Sequence, residues 1–158
     1  MRLSSVAALL ALGVLFAGLP ATASRTADEG SMTIRLISTP GRTVERDRLP
    51  KGLSKGDTLT GTSILRNAIA QFGKTKGAVV GSDSYVFTIT TPPQALIKVQ
   101  VKLPGGTLRV QGRASVAKAS IAIPVVGGTG TFAGARGTSE ASGLSGGRSL
   151  NVYRLRLP

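Results

Sequence analysis

The acidic residues are Asp28, Glu29, Glu45, Asp47, Asp57, Asp83 and Glu140, and the chain contains neither histidine nor cysteine. Those absences narrow the chemistry sharply. Nucleophile systems of the Ser-His-Asp and Cys-His kinds need an imidazole base, and zinc sites draw on His and Cys. The carboxylates show no spacing like that of a calcium loop, and nothing in their spacing suggests a glycosidase pair. No metal and no cofactor is expected, and acid–base work falls to Asp, Glu, Tyr, Lys or water. Tyr85 and Asp57 lie in segments that read as strands. They are candidates for a hydrogen-bond donor and a proton acceptor, or else a core tyrosine and a turn-capping aspartate. Arg136 is a candidate to hold an anionic or carbonyl group, or else to bridge to Glu140. Gln111 and Arg113 share the polar face of one strand, facing either a ligand or solvent. No residue stands out as catalytic.

The most conspicuous local pattern runs from Val125 to Gly137, Val-Val-Gly-Gly-Thr-Gly-Thr-Phe-Ala-Gly-Ala-Arg-Gly. Its Gly128-x-Gly130-x-x-Ala133 portion imitates a dinucleotide fingerprint, but that motif needs a helix opening at the glycines and a second parallel strand. Here Ala135 to Gly147 is rich in Gly and Ser instead. Gly127, Gly128 and Gly130 therefore read as a structural loop between antiparallel strands, where glycine permits unusual φ and close backbone approach.

The elements that would position these residues are strands. Ile97, Val99, Val101 and Leu103 alternate with Lys98, Gln100 and Lys102. After Pro104-Gly105-Gly106, Leu108 and Val110 alternate with Arg109, Gln111 and Arg113, which makes a hairpin. Tyr153, Leu155 and Leu157 alternate with Arg154 and Arg156. Further strands are expected at 32–38, 57–65, 77–81, 84–90 and 119–126, with a short helical turn at 66–72. Many short strands with regular Gly/Pro punctuation predict an all-β sandwich or barrel.

Residues 1–23 read as a secretory signal. Arg2 precedes the apolar stretch Val6 to Leu19, Pro20 breaks it, and Ala21-Thr22-Ala23 supplies the small residues of a cleavage site. Cleavage would leave residues 24–158 as one domain, released outside the cytoplasm. The formal charge of the chain is +13, and loss of Arg2 leaves +12. Such a charge attracts anionic cell-envelope polymers. Specific nucleic-acid binding is not expected, because aromatics make up only 4% and the cations are scattered.

The Val125–Gly137 run resembles the V-V-G-G-T-G-x-F-x-x-A-R-G signature of plant dirigent proteins. Val110-Gln111-Gly112-Arg113 is similar to the strand preceding it in that family, and Leu150-Asn151-Val152-Tyr153 to the final strand. Allene oxide cyclases, which share the barrel, offer further echoes in Gly56-Asp57 with Ser63-Ile64-Leu65, in Glu45-Arg46-Asp47-Arg48, and in Val110-Gln111-Gly112. The resemblance implies a single eight-stranded antiparallel barrel, a homo-oligomer (dimer or trimer), and an interior that holds one small hydrophobic ligand. It also implies catalysis by orientation, because both families fold a reactive molecule into one conformation for cyclisation or stereoselective coupling. Arg136 matches the family arginine. The departures are as informative. Lignan-forming dirigent proteins carry aspartate where this chain has Thr131, and the cyclase acid and asparagine fall on Arg42 and Val44. The pocket then either runs a different reaction or only binds. The competing expectation is a non-enzymatic basic scaffold attached to the cell envelope.

Overall fold

The computed structural model describes residues 30–158, so the signal read at 1–23 lies outside the described residues. Eight strands follow one another: β1 (Ser31–Arg46), β2 (Thr58–Asn67), β3 (Val79–Thr91), β4 (Gln94–Leu103), β5 (Gly106–Ser115), β6 (Ser120–Gly130), β7 (Arg136–Gly143) and β8 (Ser149–Arg156). Each pairs antiparallel with the next, and β8 pairs with β1 to close a barrel. Closure gives each strand a neighbour on both sides, although the β5–β6 ladder runs only from Gly106–Gly130 to Val110–Val125.

Period-two patterning decides which way each side chain points. On β4, Ala95, Ile97, Val101 and Leu103 are buried while Lys98, Gln100 and Lys102 are exposed. The β4–β5 hairpin sets Val99 opposite Val110 and Leu103 opposite Gly106. The interior divides into two levels. One end is packed solid by Ile34, Leu36, Leu65, Val101, Leu108, Val125 and Phe132, all less than 2% exposed. Phe132 arrives from the β6–β7 turn, whose backbone is pinned by Thr131 N–H to the Gly105 carbonyl (2.9 Å) and Ala135 N–H to the Phe132 carbonyl (3.0 Å). Toward the other end the inward positions become polar: Ser38, Ser63, Asp83, Ser139 and Asn151 are all buried.

Three features depart from the sequence-based expectations. The runs 77–81 and 84–90 are one continuous strand, β3, so Ser82 and Asp83 are strand residues rather than a break. Arg66 and Asn67 remain in β2, and no helical turn follows. The buried Asn67 amide instead donates to the carbonyls of Gln71, Lys74 and Thr75 and organises the β2–β3 loop. The Gly/Ser-rich stretch after the glycine loop holds a strand of its own, β7.

Candidate functional site

The polar inward residues surround a cavity of about 220 Å³ between the packed end and the opposite rim, where Pro40 and Gly147 line it. Its walls are mostly apolar: Leu59, Phe87, Ile97, Val99, Ile121, Ile123 and Ala141. Asp83 projects into it from β3, opposite Ser63 on the β2–β3 ladder. Burial pushes the Asp83 carboxyl above its ordinary value, and hydrogen bonding by the Ser63 hydroxyl and backbone opposes that only in part. Asp83 Oδ1 has no hydrogen-bond partner within the protein.

Two tyrosines share the cavity. Tyr153, on β8 opposite Ser139, is buried. Burial raises its phenol pKa, the nearby Asp83 charge raises it further, and a hydrogen bond with Ser139 works the other way. It therefore stays a neutral phenol. Tyr85 lies two residues from Asp83 on the same face of β3, nearer the rim. Its ring crosses Gly61 on β2, where a Cβ would collide with the phenol. The Tyr85 and Thr43 hydroxyls are 3.3 Å apart and share a hydrogen bond. Tyr85 also packs on Phe87, with ring centroids 5.5 Å apart. Asn151, Ser38 and Ser149 complete the polar lining on β8 and β1.

This arrangement can give or take one proton. A carboxyl with a raised pKa inside an apolar wall is a candidate for general acid–base work. The phenols are hydrogen-bond donors in the same space. Among the described residues no three acidic side chains gather to hold a metal ion.

Of the ligand-binding candidates read from sequence, Tyr85 alone lines this cavity. Asp57 caps the loop between β1 and β2, accepting from Arg48 N–H (2.8 Å), Ser54 N–H (2.7 Å) and the Ser54 hydroxyl (2.9 Å). Those bonds hold its carboxyl below the ordinary value. It borders a neighbouring cleft of about 550 Å³ at the barrel mouth, which shares Leu59 and Phe87 with the cavity. Thr131 is exposed on the turn at the packed end, its hydroxyl 3.3 Å from the Gly105 carbonyl. Arg113 is exposed on the outer face of β5, beside a shallow surface cleft. Arg136 is also on the outside, donating from Nη1 to the Val126 and Ala135 carbonyls (2.8 and 2.9 Å), while Glu140 pairs with Arg154 instead. Gly128 and Gly130 sit against the backbone of Phe132 and Gly105 respectively, leaving no room for a Cβ; Gly127 is buried beneath the Arg109 and Arg136 side chains. Sequence reasoning missed Asp83, Tyr153, Ser63, Ser139 and Asn151. The signal was the common parity of Asp83, Tyr85, Phe87 and Ile89, which becomes readable once β3 is taken as unbroken.

A family model described as "Dirigent-like protein" matches residues 56–155. The chain belongs to the dirigent-like family. No curated protein sequence matches it significantly. Among solved structures, a pyocyanin demethylase superposes with a TM-score of 0.67 at 23% identity, over 78% of this chain and 99% of its own. The exo-specific intermolecular Diels-Alderase AbnU gives 0.64 at 12% identity, over 79% and 97%. A pterocarpan synthase dirigent protein gives 0.62 at 16% identity, over 92% and 100%. At these identities the likeness is one of fold: the dirigent-like barrel is a frame on which those proteins are built.

Proposed function

We propose that this dirigent-like barrel is exported, admits a small and mostly apolar molecule at its polar-lined rim, and guides the cyclisation or stereoselective coupling of that molecule. The observation that carries the reading is Asp83: a buried carboxyl with one unpartnered oxygen, facing an apolar-walled cavity beside two tyrosines. A cavity of this kind holds a ligand by apolar contact and fixes its orientation with a few polar groups. Asp83 exchanges a proton with the ligand, Tyr85 and Tyr153 donate to its oxygen or nitrogen atoms, and the wall excludes water and restricts conformers. Orientation supplies most of the effect, because holding reacting atoms together removes an entropic barrier. The description of relatives as a Diels-Alderase and a pterocarpan synthase supports this class of chemistry for the fold.

The test uses a neutral apolar fluorophore, N-phenyl-1-naphthylamine, whose emission rises on entering an apolar cavity. Saturable enhancement is expected with the native protein and is lost in Ala141→Phe, which fills the lumen from β7. Enhancement of equal size in both proteins would remove the cavity as the binding site. The chain is further proposed to assemble as a dimer or trimer. The outward positions Thr60, Thr62, Ile64, Ser84 and Val86 carry no charge, Ile64 and Val86 are exposed apolar side chains, and together they give copies a wall to pack on.

A further inference from the structure

The outer wall opposite that neutral face carries a row of arginines. Arg109 on β5 is opposite Gly127 on β6, and Arg136 on β7 is directly opposite Arg156 on β8. The ladder shifts register between Arg109 and Val110, and the irregularity turns Gly127 outward beside Arg109. A Cβ on Gly127 would lie 3.0 Å from Arg109 Nη2, 3.7 Å from Arg109 Nε and 3.5 Å from Arg136 Nη1. With no side chain at Gly127, the Arg109 and Arg136 guanidinium groups lie together over its backbone and bury it. Arg136 is held in place by its two bonds to backbone carbonyls.

Like charges directly across a ladder are destabilising, and no carboxylate of the barrel relieves these. Asp83 is inside, Asp57 is committed to its loop, and Glu45 and Asp47 border the mouth cleft. Glu140 forms, with Arg154, the one ion pair among the described residues. We infer that Arg109, Arg136 and Arg156 form an oxyanion site on the outer wall, over Gly127, that binds a phosphate group. Guanidinium forks converging from different strands match the several oxygens of a tetrahedral anion better than a planar carboxylate. The wall offers no exposed aromatic for base stacking, so the phosphate rather than a nucleobase is what is recognised. Free phosphate and the phosphates of an anionic polymer present the same chemistry. The inference is independent of the lumen, which lies on the other side of the wall.

The experiment follows the arginine Nε–Hε resonances of the ¹⁵N-labelled protein as inorganic phosphate is added, and measures binding to linear polyphosphate separately. Arg109 and Arg136 signals are expected to move together and saturate, while Arg148 stays fixed. Arg109→Gln/Arg156→Gln should weaken polyphosphate binding at least tenfold. Lys76→Gln/Lys118→Gln, which removes the same charge elsewhere, should weaken it less than threefold. Polyphosphate binding far tighter than inorganic phosphate makes the natural source a polymer, and similar affinities make it the free ion. Equal weakening in the two double variants, or no saturable shift at Arg109 and Arg136 in the native protein, overturns the site.

Discussion

Asp83 costs the fold stability at neutral pH and keeps a carboxyl with one unpartnered oxygen in the lumen. Its pKa is raised in the folded state. Between the ordinary carboxylate value and that raised value, the folded protein holds a proton that the unfolded chain has released. Stability therefore falls as pH rises through this window and levels off above it. Asp83→Asn keeps the shape and cannot ionise, so it is expected to raise Tm at pH 7 and to abolish this part of the pH dependence in thermal melts. An unchanged Tm at pH 7 would place the carboxylate in a well-solvated setting. Tyr85→Phe removes one hydrogen bond of about 0.5–1.5 kcal/mol and should weaken a ligand that uses it by roughly twofold to tenfold, read by titration with the ligand. Asp57 has the opposite sign. Its pKa is lowered by the Arg48 and Ser54 bonds, so its contribution is present above the ordinary carboxylate value and is lost as pH falls through the lowered one. Asp57→Ala should speed hydrogen exchange at the Arg48 and Ser54 amides while leaving the strands protected.

At the scale of elements, the β6–β7 turn serves as the stopper of the barrel through Phe132. Phe132→Ala opens a cavity in the packed end and should cost about 3–5 kcal/mol in denaturant unfolding. It should not change the apolar probe's binding at the other end. Much of this organisation was legible in the sequence. The alternation in β4, β5 and β8 is clean because one face meets apolar packing and the other meets water. The glycine loop was legible as a joint between two late strands. β7 was not, because Arg136–Gly143 faces the lumen with Ser139 and Ala141 and lacks the bulky apolar residues that mark a strand. The site was hidden for a related reason. A cavity needs small and polar residues on the inward face, and these weaken the periodic signal where the cavity lies. Asp83 looked like a break between two strands, whereas Arg136, Arg113 and Thr131, conspicuous in the sequence, lie on the outside or at the packed end.

For the whole molecule, closure into a barrel separates three surfaces that one sequence must encode at once: a lumen, an uncharged outer patch on β2 and β3, and an outer group of arginines on β5, β7 and β8. The neutral face carries the proposed assembly, and Val86→Lys should shift the protein toward monomer in light scattering without lowering Tm by more than a few degrees. The lumen carries the central claim. Native mass spectrometry of the protein purified gently from its producing culture tests it most directly. The expected result is one small-molecule adduct per barrel, lost on denaturation and absent from Ala141→Phe. A wild-type protein that carries only its own mass, and takes up no apolar probe, would contradict a ligand-guiding lumen.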